Sequence, residues 1–553
     1  MKIPSDLSRR QVLYSEVASA CLASRANRVA DYATREAYYL YGSNSGAAPA
    51  EFNRTFSCIK NLKAFIYAAD STQFTLDVGA DTPHIEITRV PVVSRYLNQT
   101  WKGSNSDQVA SQCVEWALVY NTMIMKSMWV VDSFRTYAIR PHDFGVYDES
   151  IDSMDDQEAM VHVYSIGLDE LKRRIEFLPN REAILRNVQP QRSRAPDAED
   201  GLSRLILTAS APITPTNPNA VGALANTVFS QQASYNAKTD IETVELYEMW
   251  VWNDDKEDYQ VVTMCGNQPM IDRLSGEEKH GRIMYPKGEN PFTKFTPSPK
   301  FNYFWGISDV QSVIVLQESL NSRFVDFDDL LEKNVRPPTS GYGYQEEAFL
   351  ALMSPGGQAY GIDPNATVQQ HTPQIPEELL KRIDMIYGGF DDALALSNVL
   401  QGKGEAGVRG RGHAQELARI SSARIKEKAL STEDSLEKAA TLQLRLQEVY
   451  DDTALDEEAN SGGKSKFTLA QMTPSMTVKV DAHSNSPLFA DDTRELANEM
   501  FDKEIIDGKA YIDLVKPQNP EVLKLRYDEL KRERQEREMM MASMKQGAPA
   551  TPH

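Results

Sequence analysis

Apolar residues recurring at three- and four-residue steps dominate the first 135 positions. They do so over Arg10 to Tyr41 and over Ser106 to Trp129, where Val109, Cys113, Trp116, Ala117, Tyr120 and Ile124 fall on one side. That spacing predicts helices packed into one core. From Ser133 the period shortens. Tyr137-Ala138-Ile139, Phe144-Gly145-Val146-Tyr147 and Met160-Val161-His162-Val163-Tyr164 are short β-prone runs, separated by Pro141 and an acidic stretch from Asp152 to Glu158. Ile166 to Phe177 predicts a helix lying on a small sheet. Thr243 to Trp252 and Asp258 to Cys265 predict two strands joined by the turn-prone Asn253-Asp254-Asp255. Between these parts, about Val188 to Thr239 is rich in Pro, Ser, Ala, Asn and Gln and lacks a consistent period, as expected of an excursion or a partly mobile loop.

The second half is organised by long helical patterns. After Pro291-Phe292 and the aromatic run Phe301-Asn302-Tyr303-Phe304-Trp305-Gly306, Ser308 and Gln311 have capping-box spacing. Val310, Val313, Gln317, Leu320, Phe324, Phe327 and Leu331 continue on one side until Pro337-Pro338 forbids further helix. Ser308 to Val335 would extend on the order of 40 Å as a helix. Residues 336–375 form an island punctuated by Pro and Gly, with Gly341-Tyr342-Gly343-Tyr344, a helix expected at Gln345 to Met353, and β-prone pieces near Tyr360 and Thr367-Val368. Pro376 then opens a second long helix, striped by Leu379, Ile383, Ile386, Phe390 and Leu394, with Gly388-Gly389 as its expected weak point.

That helix runs into Gln401 to His413, a loop of Gly, Lys and Arg with no core-forming content. Ala414 to about Tyr450 predicts a third long helix through Leu417, Ile420, Ile425, Leu430, Leu436, Leu442, Leu446 and Val449. Phe467 to Ala470 and Met476 to Val480 predict a final strand pair. Asp492 to Lys503, a turn at Gly508, a short helix near Tyr511 to Val515 and a highly charged helix from Pro520 to about Lys545 complete the pattern.

Composition narrows the chemistry. The 553 residues carry 59 Lys plus Arg against 79 Asp plus Glu, a formal charge of -20, which opposes passive adhesion to nucleic acid or anionic lipid. A mean hydropathy of -0.46 and the lack of an apolar run of about 18 residues argue against a membrane span. Cys21, Cys58, Cys113 and Cys265 form no Cys-x-x-Cys pair, so neither a zinc ribbon nor a dense disulfide framework is expected, and an intracellular setting is the default. Ser8-Arg9-Arg10 resembles a twin-arginine signal, but Ser15, Glu16 and Ser19 interrupt the apolar region that such a signal needs.

Candidate catalytic and cofactor motifs are weak. Gly402-x-Gly404-x-x-Gly407 matches a dinucleotide fingerprint, yet it follows a helix rather than a strand, so a flexible loop is the preferred reading. Gly463-Lys464-Ser465 ends like a phosphate-binding loop, but Glu458 stands where the first glycine is needed. Asp326, Asp328 and Asp329 could offer carboxylates to Mg²⁺, although a solvated or pore-lining acidic face explains them better. His142-Asp143 and His162 lack a nucleophile or ligand spacing and are assigned turn and surface roles, and Asp491 and Asp492 are read as helix caps. No catalytic, cofactor or metal residue is expected, and the chain is not expected to be an enzyme. Lys403, Arg409, Arg411 and His413 form the most basic short patch in an acidic chain. They mark either a polyanion contact or an ordinary surface loop.

The order of these parts resembles the portal proteins of tailed bacteriophages. So do the strings Trp305-Gly306-Ile307-Ser308-Asp309-Val310, Leu316-Gln317-Glu318-Ser319-Leu320-Asn321 and Ile505-Ile506-Asp507-Gly508-Lys509. The resemblance spans about residues 100–545. It implies a mixed α/β, predominantly α-helical fold: a wing over 1–305 with an insertion at 188–239, stem helices at 306–335 and 376–400 around a clip at 336–375, a tunnel loop at 401–413, a long wing helix at 414–460 and a crown at 461–553.

It further implies a ring, expected as a dodecamer, that sits at the portal vertex of the virion after assembly in the host cytoplasm. Double-stranded DNA would pass through it transiently and without sequence preference. Terminase large subunit, head-to-tail adaptor and tail proteins, and the major capsid and scaffolding proteins would be its partners, with no membrane contact and no cofactor. About twelve copies of this chain would carry on the order of -240, a lumen that repels DNA. On this reading Lys403, Arg409, Arg411 and His413 face the DNA. Leu320, Phe324, Phe327, Ile383, Ile386 and Phe390 pack the stem, and Arg336, Tyr342, Tyr344, Glu346 and Glu347 dock partners on the clip. The charged terminal helix, with Arg526, Lys531, Arg532, Glu533 and Arg534, would build the crown. The competing reading is a helical scaffold or tail component that oligomerises without conducting DNA.

Overall fold

A computed structural model describes residues 1–44, 52–68, 72–77, 84–130, 132–188, 191–192, 242–278, 283–335, 337, 339–342, 345–353, 365, 367–371, 373–396, 423–456, 466–472, 476–480, 496–503 and 505–515, with isolated positions from 523 to 537. Among these the fold is mixed α/β. Helices α1 (Leu7–Ala23), α2 (Arg25–Tyr41), α3 (Arg54–Ile66), α4 (His84–Gly103) and α5 (Ser106–Tyr120) build the first part, with strand β1 (Phe74–Asp77) between α3 and α4. The helix expected over Arg10 to Tyr41 is two, parted at Ser24, whose backbone N–H bonds to the Leu22 carbonyl and turns the chain.

The helix expected over Ser106 to Trp129 stops at Tyr120. Asn121 adopts φ 109°, a conformation no helix continues through, and β2 (Met123–Val130) follows. Every side chain of β2 from Met123 to Ser127 is buried, so this strand lacks the polar alternation that would distinguish it from a buried helix.

Among the described residues all strands pair antiparallel. β2 lies between β10 (Phe292–Phe295) and β3 (Ser133–Ile139). The larger sheet runs β4 (Phe144–Val146), β5 (Ala159–Gly167), β7 (Glu242–Asn253), β8 (Asp258–Cys265), β9 (Gln268–Leu274), and β6 (Gln191–Arg192) pairs with β7. The hairpin predicted at Asn253 is present, with Asn253 opposite Asp258. Among the described residues the sheet under α6 (Leu168–Arg174) thus has six strands rather than being small, β9 having gone unread because its sequence, Gln268-Pro269-Met270-Ile271-Asp272-Arg273-Leu274, is mixed in polarity. Helix α7 (Arg181–Asn187) lies near β9. Most of 188–239 lies outside the described residues.

Helix α8 (Asp309–Val335), a small unit made of β11 (Thr339–Tyr342), α9 (Glu346–Met353) and β12 (Thr367–Gln370), and α10 (Glu377–Leu394) follow in the expected order. Helix α11 (Ala423–Tyr450) then packs against α3, α4, β2, β3 and β10, the centre of the main core. Two buried glutamines fix its register: the Gln443 side chain donates to the Leu97 carbonyl at 3.1 Å and that of Gln447 to the Thr100 hydroxyl at 3.1 Å.

The final strands do not pair with one another. β15 (Thr477–Val480) pairs with β1 and β14 (Lys466–Phe467) with β13 (Leu455–Asp456), because α11 returns the chain beside segments from both ends of the sequence. Residues 496–502 are helical and α12 spans Gly508–Val515. The terminal charged segment from Pro520 falls mostly outside the described residues.

Candidate assembly and channel site

The base of α8 is fixed by the two strings that precede and open it. Trp305 is fully buried; its Nε1 donates to Glu149 Oε1 at 2.8 Å, and the Arg28 guanidinium lies 3.9 Å from its ring centroid. A Cβ on Gly306 would stand 2.4 Å from the Ser298 carbonyl oxygen, so only glycine lets the chain pass there. Ser308 caps the helix, its hydroxyl accepting from the Gln311 N–H at 3.2 Å. The buried Gln317 side chain accepts from the Thr55 N–H and hydroxyl at 3.1 Å each and donates to the Phe52 carbonyl and to Asn321 at 2.9 Å each. Asn321 in turn donates to the Gly42 carbonyl at 2.8 Å. Lys428 of α11 pairs with Asp309, and Arg54 with Asp391 of α10 at 2.8 Å.

Beyond this clamp α8 changes character. Its buried residues are Asp309, Val310, Val313, Ile314, Gln317 and Leu320; from Asn321 to Val335 no side chain is buried. Asn321, Phe324, Phe327, Leu330 and Asn334 are half-buried, a single stripe. On α10, Ile383, Ile386, Phe390 and Leu394 are buried in the stripe read from the sequence. The two helices pack together, and a Cβ on Gly389 would lie 3.3 Å from Leu316, so this glycine permits the close approach. Gly388-Gly389 is therefore no break: the helix continues to Leu394. Of the six predicted packing residues, Leu320, Ile383, Ile386 and Phe390 are buried. Phe324 and Phe327 are only half-buried, and Phe324 stacks on Phe52 at 4.4 Å.

The opposite faces carry large apolar side chains into solvent. Val315 is 69 % exposed, Val325 61 %, Val335 79 % and Met385 66 %. On the unit between the helices, Tyr342 is exposed in β11 and Glu346 and Glu347 lie exposed in the first turn of α9, where carboxylates favour the helix dipole. Arg336 and Tyr344 lie outside the described residues. So do Lys403, Arg409, Arg411 and His413, the glycine motif at Gly402, Gly463-Lys464-Ser465, and Asp491 and Asp492. Asp326 pairs with Arg323 at 2.8 Å, and among the described residues no group of His, Cys, Asp and Glu could hold a metal ion. No described helix is long and apolar enough to cross a membrane.

His142 lies in a turn, as assigned, but is buried, and His162, also given a turn or surface role, is mostly buried on β5. Burial, reinforced by Arg140, Arg25 and Arg28, holds His142 well below its ordinary pKa. Burial and then Lys126 lower His162 to about 3, against the opposing pull of Glu248. Their neighbours in sequence alternate too little to reveal which face the sheet covers. A base kept neutral in the fold but free to protonate when unfolded gives the unfolded state more bound protons below about pH 6.5, so stability falls as pH drops from there toward 3. At about 1.4 kcal/mol per pH unit, His162 alone contributes roughly 2 kcal/mol of loss between pH 6 and 4.5. His162→Gln should flatten the pH dependence of the urea midpoint over that range, and an unchanged slope would place the titration elsewhere.

No protein-family model matches the sequence, and neither does any curated protein. Among solved structures, the chain is similar to one in the "Virion of native gene transfer agent (GTA) particle", with 9% identity, a TM-score of 0.41, and coverage of 88% of this chain and 93% of that one. A likeness this distant establishes no family for the chain.

Proposed function

We propose that the chain is a portal subunit: copies close into a ring at one capsid vertex, and double-stranded DNA is packaged and ejected through its centre. The observation that carries the reading is the helical pair α8–α10, clamped at its base, with no fully buried side chain on α8 beyond Leu320 and with Val315, Val325, Val335 and Met385 exposed along the pair. Closed cyclic assembly covers such a surface on every copy. The order of elements and the clamp built from Trp305, Gly306, Ser308, Gln317 and Asn321 support the portal resemblance, since these residues of its strings have structural work to do.

On this reading the unit between α8 and α10 docks terminase during packaging and adaptors afterwards. A separate terminase hydrolyses ATP, and this chain has no catalytic activity of its own. The acidic ring repels DNA, while Arg409 and Arg411 make transient phosphate contacts of short range, the Debye length being about 8 Å at physiological salt.

Electron microscopy of the purified protein tests the reading. A ring with a central opening of roughly 20 Å or more admits B-form DNA, whereas filaments, compact dimers or monomers would reject the conduit, the first two favouring a non-conducting scaffold. Arg409→Ala with Arg411→Ala should leave rings intact and alter packaged DNA length or retention. Unchanged packaging and virion yield would remove the loop from DNA contact.

A further inference from the structure

A second feature lies away from the α8–α10 faces. Where α2 meets the segment leading into α8, a cavity of about 260 Å³ is lined by Arg28, Arg35, Lys300, Asp31, Tyr303 and Ile307, among others. Arg28, Arg35 and Lys300 with Asp31 line it, and counting the Glu149 carboxylate that pairs with Arg28 leaves a net +1 on a chain of -20. Arg28 is only 8% exposed. Its Nη1 donates to Tyr32 at 3.4 Å and its Nη2 lies 3.1 Å from Glu149 Oε1, which already accepts from Trp305 and from Ser24. Its Nε and Nη2 make no aligned hydrogen bond among the described residues. Buried guanidinium N–H groups left unmatched cost free energy that an added carboxylate would recover.

The rim says what kind of molecule brings that carboxylate. Lys300 and Tyr303 close a tight turn in which Asn302 takes φ 50°, and the turn holds Phe301 out with 90% of its surface in water. Ile307, in the cavity wall, is also exposed. An aromatic knob beside desolvated arginine is the make-up of a protein contact rather than of a site for a small free anion.

We propose that an acidic side chain of a second copy of this chain enters the Arg28–Arg35–Lys300 cavity, with Phe301 anchoring the contact beside it. Charge complementarity selects the copy: the surface that supplies the acid is abundant on a chain with 79 Asp and Glu, and the cavity is not complementary to itself. Repeated head-to-tail around the ring proposed above, such a contact closes where the rotation between copies permits. The inference rests on the ring reading above and adds a second contact between neighbours, at the base of α8.

Lys300 and Phe301 are exposed, so Lys300→Glu with Phe301→Ser should fold with an unchanged circular dichroism spectrum and melting point. The concentration at which half the protein is assembled, read by sedimentation and microscopy, should rise at least tenfold. Rings of mixed ¹⁴N and ¹⁵N copies treated with a carbodiimide should yield an amide between Lys300 of one isotope and an Asp or Glu of the other. Unchanged assembly of the double variant, as a free phosphate occupant would give, overturns the inference and leaves the ring standing. So does an amide formed only within one copy. A wild-type chain that never assembles overturns the ring reading itself, and this inference with it.

Discussion

Phe390→Asp is expected to abolish assembly. Phe390 is fully buried where α10 packs against α8 and α3. A carboxylate placed there must either lose its hydration or stay protonated, at a cost of several kcal/mol per subunit. The α8–α10 pair would separate before the rest of the core, because the outer half of α8 has no buried side chain to hold it. Limited proteolysis should then cut within 321–385 while the sheet remains protected, and microscopy should show no rings. Rings of normal diameter from this variant would mean that the pair is not the element that closes the assembly.

Lys126→Met carries the second large effect. The Lys126 ammonium donates to both oxygens of Glu248 at 2.6 and 2.7 Å, and Trp250 Nε1 donates to the same carboxylate at 2.9 Å. Burial alone would raise the pKa of Glu248, but the Lys126 charge and the hydrogen bonds from Lys126 and Trp250 outweigh it and hold the carboxyl below the usual range. Removing the ammonium leaves a buried charge unmatched, which costs roughly 3–5 kcal/mol. Glu248→Leu added to Lys126→Met should recover a large part of that loss, since the pair is replaced by apolar contact. A single variant as stable as the parent in urea would show that water reaches the pair. The site joins β2 to β7 and so couples the two sheets.

How much of this was legible in the sequence depends on what each residue had to declare. The stripe Leu379, Ile383, Ile386, Phe390 and Leu394 announced both a helix and the face it buries, because helical spacing puts those five on one side whatever the partner. Ser308 and Pro337 bounded α8 by local rules of capping and missing N–H. Met123 to Val130 was misread as the end of a helix, since a strand covered on both faces loses its two-residue alternation. The turn at His142 was legible but its burial, and most of that of His162, was not, because burial of a polar side chain depends on charged groups and aromatic rings brought from other segments. The cavity at Arg28 left no sequence signal, as its wall comes from α2, Asn121 and the 300–311 segment.

By itself the sequence determined the order of the long helices, the two ends of α8, the hairpin at Asn253 and the acidic charge, because these follow from spacing, backbone chemistry and counting within one stretch of chain. Only the tertiary structure decided that β15 pairs with β1, that Gln317 ties α8 to the 52–55 segment, and that α8 has no fully buried side chain beyond Leu320. Those outcomes depend on which surfaces meet after the chain folds back on itself, and contacts between residues hundreds of positions apart are fixed by packing and desolvation rather than by local pattern.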